Sequence, residues 1–178
     1  MFIFAFKPLI FLTPICCTAM KIKCSIQKYL SIENVVLFFI FLFLISYTAI
    51  RMYNIPLTHD ECVSYQQYSV HSTFQIITYT KVSTIPNNHI LNTLFIKAIN
   101  TLSFGSATWL LRFHIWLSYI MLFIFSVLIV KEMNIRWLVV PAVVLLNFNP
   151  YMLEFFSLAR GYGLAISCML GSMYYFVR

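Results

Sequence analysis

The sequence contains few charged residues, and very few of them are acidic. Charged side chains make up 10% of its 178 residues, and only five residues are Asp or Glu. Soluble globular domains carry about 25% charged residues. Because 61% of this chain is hydrophobic, we predict an integral membrane protein of the all-α, polytopic class rather than a soluble domain.

The sequence also lacks the motifs of several common function classes. It has no P-loop, GxGxxG or GxSxG pattern, and its twelve basic residues form no stripe. The net charge is +7, but without a basic stripe or a nucleic-acid-binding motif we predict no nucleic-acid partner. Membrane lipids are the expected surroundings, because the basic residues stand at the ends of apolar runs. The five cysteines form no CxxC, which argues against a disulfide framework and a zinc site.

The apolar runs predict about four transmembrane helices. Lys21, Lys23 and Lys28 precede the first run and place its start in the cytoplasm. The charged turn 131–136 and the terminal Arg178 then also fall on the cytoplasmic side, so both termini are expected there. We predict a multi-pass protein of the cell membrane, with spans at about 34–50, 112–130, 137–149 and 158–177, and a long extracytoplasmic loop at 51–111.

Residues 1–33 form a separate N-terminal segment in this interpretation. Residues 1–19 are apolar but interrupted by Lys7, Pro8 and Pro14. Either this stretch is signal-like, or the true start is Met20 and the first 19 residues are a mis-assigned beginning. The sequence leaves both possibilities open.

The outer loop has its own helix signals. Thr58 and Glu61 have the spacing of a capping box, which predicts a helix start at Thr58. Residues 83–88 contain Pro86 and paired Asn, which favour a break. From Leu91, apolar residues recur at helical spacing and predict an interfacial helix that ends at Gly105.

Asp60 and Glu61 are adjacent and follow the first span directly. The structural interpretation is that acidic residues in a first helical turn stabilise it, and that Glu61 completes the capping box. The functional interpretation is that adjacent carboxylates beside a membrane raise the pKa of one of them, which suits a general base. His59 and His89 could add metal ligands, but no HxxxH or HxH spacing supports a metal site. No cofactor is predicted, and a divalent cation stays open.

Arg160 and Arg112 stand at the predicted outer ends of spans, where cations are uncommon. Each has two interpretations. One is an arginine whose guanidinium reaches the lipid headgroups, and the other is an arginine that binds a phosphate bidentately. Two outer arginines near a carboxylate pair suggest an anionic substrate carried by a lipid.

The order of these features resembles a known pattern. A first span is followed by Asp60-Glu61, then Asn88-His89 before an amphipathic helix, then Gly105 seven residues before Arg112, then Ala-Arg-Gly-Tyr at 159–162. Over about residues 30–178 this resembles the N-terminal part of GT-C membrane glycosyltransferases, the group that includes protein mannosyltransferases, the aminoarabinose transferases of lipid A and the RgtA/B/C/D-like enzymes. The resemblance implies transfer of a sugar from a polyprenyl-phosphate donor to an acceptor hydroxyl in the cell envelope.

The resemblance also implies roles for individual residues. Asp60 resembles the catalytic base, and Glu61 its supporting partner. Arg160 would hold the donor phosphate, and Arg112 would position either the loop or the phosphate. The remaining implied site residues line the site: His89 and Tyr162.

Two departures from the family pattern stand out. The family often has Pro-Pro and aromatic residues after the histidine, whereas Ile90-Leu91-Asn92 follow His89. Family members also have many more spans. We therefore interpret the chain as an N-terminal fragment, a split gene product that a second polypeptide would complete, or a truncated reading frame, and we expect it to be too short to be active alone. The alternatives are a non-catalytic remnant or assembly subunit of the same fold, and a small transporter with Asp60 as proton site, which ranks last because the confident spans contain no acidic residue.

Overall fold

The structure is a computed structural model that describes residues 31–80, 89–102 and 107–178. The signal-like segment, the predicted break at 83–88 and the predicted helix end at Gly105 lie outside these ranges. Throughout the described residues the regular structure is helical, without a strand, which confirms the all-α prediction. The helices are α1 (Ile32–Asn54), α2 (His59–Val63), a π-helical turn (Ser64–Tyr68), α3 (Thr73–Thr78), α4 (Ile90–Thr101), α5 (Thr108–Glu132), α6 (Arg136–Asn147), α7 (Pro150–Phe155) and α8 (Tyr162–Val177).

The chain divides into two units, Met1–Phe38 and Phe39–Arg178. In the first unit, the described part is the start of α1, where the Asn34 backbone N–H donates to the Ser31 carbonyl at 2.9 Å. The second unit contains the rest of α1 and all later helices.

Within the described ranges, two helices are long and apolar enough to cross a membrane: α1 with 23 residues and α5 with 25. A crossing needs about 20 residues. At 12 and 16 residues, α6 and α8 are apolar but shorter. The four-span topology and the orientation of the termini therefore stay predictions. In the second unit, large apolar side chains are exposed, as expected for a surface that faces lipid: Phe39, Phe43, Leu145 and Phe176.

The packing of α5 against α8 uses small residues. The Ser167 hydroxyl donates to the Ser118 carbonyl at 2.7 Å, which ties the two helices together inside the protein. A Cβ added at Gly163 would lie 3.0 Å from the Phe156 ring and 3.2 Å from Ile115. Small residues that let helix backbones approach closely are typical of membrane helix interfaces.

The loop helices follow the sequence signals in part. Thr58 is the N-cap of α2, and its N–H donates to the Glu61 carboxylate at 2.8 Å, as the capping-box spacing predicted. In α4, the polar Asn92 and Thr93 are buried, whereas Leu91 is 60% exposed. The inward face of α4 is mixed, because Ile96 is buried beside these two residues, whereas Asn100 and Thr101 are exposed.

The last helix begins later than predicted. Residues 158–161 form a turn between α7 and α8, whereas the sequence predicted a continuous span from residue 158. The Ala159 N–H donates to the Glu61 side chain at 2.6 Å, and the Arg160 N–H donates to the Leu158 carbonyl at 2.8 Å. Glu61 of α2 thus binds the backbone of this turn, and α8 begins only at Tyr162.

Candidate functional site

The centre of the loop region is a buried ion pair between Glu61 and Arg112. Arg112 Nε donates to Oε1 at 2.7 Å and Nη2 donates to Oε2 at 2.6 Å. Glu61 is 1% exposed and Arg112 is fully buried. Two parallel N–H···O bonds of this kind are the strongest geometry that an arginine and a carboxylate adopt.

Every N–H of the Arg112 guanidinium has an acceptor. Besides the two bonds to Glu61, Nη1 donates to the carbonyls of Met52 and Ile55, and Nη2 donates to the carbonyl of Pro56. A guanidinium has five N–H donors, so no donor of Arg112 is left for a phosphate in this structure. Of the two implied roles, the contacts fit positioning of the loop: Arg112 holds the segment that leads from α1 into α2.

Glu61 is equally well satisfied. Its carboxylate accepts hydrogen bonds from Arg112, from the N–H and hydroxyl of Thr58, and from the Ala159 N–H. Burial by itself would raise the pKa of Glu61, but the bonds from Arg112, Thr58 and Ala159 outweigh it and lower that pKa below its usual value. Glu61 is thus an ionised, inaccessible carboxylate that supports the site rather than touching a substrate.

Asp60 points elsewhere. Its Oδ2 lies 3.2 Å from Nη2 of Arg160, and its Oδ1 lies 3.7 Å from Nδ1 of His59. The Asp60 side chain is 35% exposed and that of Arg160 is 28% exposed. Adjacent acidic residues therefore face two different arginines, and only the Asp60–Arg160 pair is accessible.

His89 and Tyr162 border this pair. The two rings meet edge to face at 4.4 Å between centroids. A Cβ on Gly161 would collide with His89 Cβ and Cγ, so glycine is required there for the histidine to lie this close. Burial lowers the pKa of His89, which leaves its imidazole neutral near pH 7.

Two buried nitrogen atoms at the site have no hydrogen-bond partner within the described part of the chain: Nε2 of His89 and Nε of Arg160. Buried polar atoms are nearly always paired. Both residues line a small polar pocket together with Asp60, Ser64, Asn92, Ala159 and Tyr162. Unpaired nitrogen atoms in such a pocket are places where a polar ligand group can bind.

An apolar groove adjoins the polar pocket. It has a volume of about 390 Å³ and is lined mainly by side chains of α4 and α8: Ile90, Leu91, Leu164, Ala165 and Cys168. His89 and Asn92 line both spaces. The apolar groove therefore ends at the polar pocket, and the two form adjoining parts of one site.

The structure thus brings all six predicted site residues into one region but divides them into two groups. Glu61 and Arg112 are buried, whereas Asp60, Arg160, His89 and Tyr162 surround the pocket. The sequence analysis gave no role to Asn92, which lines the pocket and bonds to the Ala159 carbonyl at 2.8 Å. No local signal singled it out, because Asn92 lies in α4 among other polar residues, including Thr93 and Asn100.

The histidines do not form a metal centre among the described residues. The His59 side chain is 90% exposed, and its Nδ1 lies 3.7 Å from Oδ1 of Asp60. Within residues 31–80, 89–102 and 107–178, His, Cys, Asp and Glu side chains nowhere gather in threes.

Comparisons with known proteins leave the family open. Neither a protein-family model, nor a curated protein, nor a solved structure matches the chain.

Proposed function

We propose that this chain is the N-terminal part of a GT-C-like membrane glycosyltransferase. It would transfer a sugar from a polyprenyl-phosphate donor to an acceptor hydroxyl at the extracytoplasmic face. The observation that carries the proposal is the accessible Asp60–Arg160 pair, 3.2 Å apart, at the polar end of an apolar groove.

The two spaces match the two halves of an amphiphilic donor. The groove of about 390 Å³ lies within the usual range of ligand pockets, about 300–1,000 Å³. Its apolar lining suits an isoprenoid chain that enters from the lipid. The phosphate would then lie at the shared boundary near His89 and reach Arg160.

Arg160 would hold the phosphate. Its ion-pair partner in the described part of the chain is Asp60, and its buried Nε has no hydrogen-bond partner there. Arginine binds phosphate through two parallel N–H donors. Arg112 has every donor occupied, so Arg160 is the arginine of this region that a ligand can reach.

Donor binding would also release Asp60. Phosphate and carboxylate compete for the same guanidinium, so a bound phosphate weakens the Asp60–Arg160 contact. The freed carboxylate accepts the proton of the acceptor hydroxyl while the acceptor oxygen bonds to the anomeric carbon. The bond from that carbon to the phosphate oxygen breaks, and the electron pair leaves with the phosphate, whose charge Arg160 stabilises.

The test measures binding of a fluorescent polyprenyl phosphate to the purified full chain in nanodiscs. Arg160→Ala should weaken binding by about tenfold to a hundredfold, because a bond to a charged group contributes about 1.5–3 kcal/mol. Asp60→Asn should leave binding unchanged or tighter, since it removes the competitor for Arg160.

Two controls define the outcome. Arg51→Ala removes an arginine that bonds to Tyr47 at the end of α1, and it should leave binding unchanged. The corresponding polyprenyl alcohol, which lacks the phosphate, should bind weakly to every variant. Binding that is insensitive to Arg160→Ala, or equal for the alcohol, would overturn the proposal and favour a non-catalytic membrane protein of the same fold.

A further inference from the structure

The residue before Arg160 is held from two sides. The Ala159 N–H donates to Oε1 of Glu61 at 2.6 Å, and the Ala159 carbonyl accepts from Nδ2 of Asn92 at 2.8 Å. Ala159 and Asn92 are each 2% exposed and Glu61 is 1% exposed. Side chains from α2 and α4 therefore fix both polar groups of one residue in the turn that carries Arg160.

Helix α5 supports each of these side chains. Arg112 holds Glu61, as described above. His114, two residues further along α5, places Nε2 at 2.8 Å from Oδ1 of Asn92, and its ring stacks on Phe95 at 4.8 Å. An amide oxygen only accepts hydrogen bonds, so Nε2 of His114 is the donor and the tautomer is fixed.

We infer that Asn92 and His114 are positioning residues for Arg160. The path runs from His114 on α5, through Asn92 on α4, to the Ala159 carbonyl, and it sets the direction in which Arg160 leaves the turn. The expected effect of these residues on donor binding rests on the proposed function. The geometry of the turn stands independently of that function.

A merely structural role has to be separated from this one. A buried asparagine in an apolar protein needs a partner wherever it lies, so its loss lowers stability in either case. The distinguishing consequence is local, because a positioning role predicts a change at residues 158–161 and in phosphate binding. A general loss of stability predicts neither.

Asn147 provides the matched control. It is a fully buried asparagine on α6 whose Nδ2 donates to Ser126 Oγ and to the Val143 carbonyl, both at 2.9 Å. Asn92→Leu and Asn147→Leu are the same chemical change, but Asn147 is absent from the pocket lining. In the full chain in nanodiscs, Asn92→Leu should accelerate amide hydrogen exchange at 158–161 and weaken binding of fluorescent polyprenyl phosphate, each by about tenfold. Asn147→Leu should change neither.

A second pair of variants tests the hydrogen-bonded path from His114 through Asn92 to Ala159 without removing Asn92. His114→Phe keeps a ring that can stack on Phe95 but loses the donor to Asn92. His114→Gln loses the ring but keeps an N–H donor the same number of bonds from Cα. We expect His114→Phe to raise the rate of amide exchange at 158–161 severalfold, and His114→Gln to keep it near the wild-type rate. If His114 acted through packing alone, His114→Gln would raise the rate and His114→Phe would not.

The outcomes distinguish this inference from the proposed function. If the wild type does not bind the polyprenyl phosphate, the proposed function fails, and the exchange data alone decide whether Asn92 holds the turn. If the wild type binds and Asn92→Leu matches Asn147→Leu in exchange and binding, the inference is overturned. Faster exchange limited to Asn92→Leu and His114→Phe supports it.

Discussion

Two neighbouring carboxylates in this protein have opposite surroundings. Glu61 and Arg112 meet at 2.6 Å with side chains 1% and 0% exposed. Asp60 and Arg160 meet at 3.2 Å with side chains 35% and 28% exposed. Both are acid–arginine pairs, and their acidic members are adjacent in sequence, yet one is sealed inside the protein and the other lines a pocket.

The difference between the pairs lies in how fully their hydrogen-bonding groups are used. Arg112 uses all five of its donors on Glu61 and on three carbonyl groups. Burying such a pair is costly, and only complete hydrogen bonding offsets the loss of water. Arg160 retains a buried Nε without a partner among the described residues. The Glu61–Arg112 pair, whose donors all have acceptors, holds the loop in place. The Asp60–Arg160 pair retains a donor that a ligand can use.

Removing Arg112 should have the largest effect on the stability of the protein. Arg112→Met leaves Glu61 buried without its cation, and we expect a loss of about 3–5 kcal/mol in the free energy of unfolding. Arg160→Met, the same change in the accessible pair, should cost about 1 kcal/mol or less. Chemical denaturation in detergent measures both. Equal losses would show that the two pairs do not differ as their burial implies.

Acidification should weaken the buried pair by protonating Glu61. The pKa of Glu61 in the folded state lies below the usual value of 4.5, so between these two pH values the unfolded state binds more protons. Stability from Glu61 is therefore complete above about pH 4.5 and is lost as the pH falls through the lower folded pKa. The unfolding midpoint should fall with pH in this window, and Glu61→Gln should reduce that slope. An unchanged slope in Glu61→Gln would contradict the assignment.

The smallest effect is expected from the coupling within the accessible pair. A double-mutant cycle of Asp60→Asn and Arg160→Gln should give a coupling energy of about 0–1 kcal/mol, the range of exposed ion pairs. The same cycle with Glu61→Gln and Arg112→Gln should give several times more. If the Asp60–Arg160 coupling is as large as that of the buried pair, Asp60 is a structural residue, and the proposal that it acts as a base fails.

Several features of the fold were predictable because their signals are local. The helix start at Thr58 follows from hydrogen bonds between residues three apart. The turn at 133–135 lies within the charged turn predicted at 131–136, although Lys131, Glu132 and Arg136 belong to the flanking helices. Asn134 in this turn has a φ of 57°, a conformation that asparagine tolerates better than most residues. The all-helical class and the two long apolar helices follow from composition and run length.

The start of α8 and the roles of the polar residues were not predictable in this way. An apolar sequence from residue 158 favours a continuous helix, but Glu61, 98 residues earlier, accepts the Ala159 N–H. Asn92 and His114 are 22 residues apart and meet only because α4 packs beside α5. No spacing rule connects residues so far apart in sequence.

The sequence by itself determined that this protein is helical and apolar, and that Asp60, Glu61, Arg112 and Arg160 are its notable charges. Only the tertiary structure decided which acid belongs to which arginine. Adjacent side chains in a first helical turn point about 100° apart, so packing turned Glu61 inward to Arg112 and left Asp60 at the pocket. Burial and hydrogen bonding, which depend on the whole fold, separate the two roles.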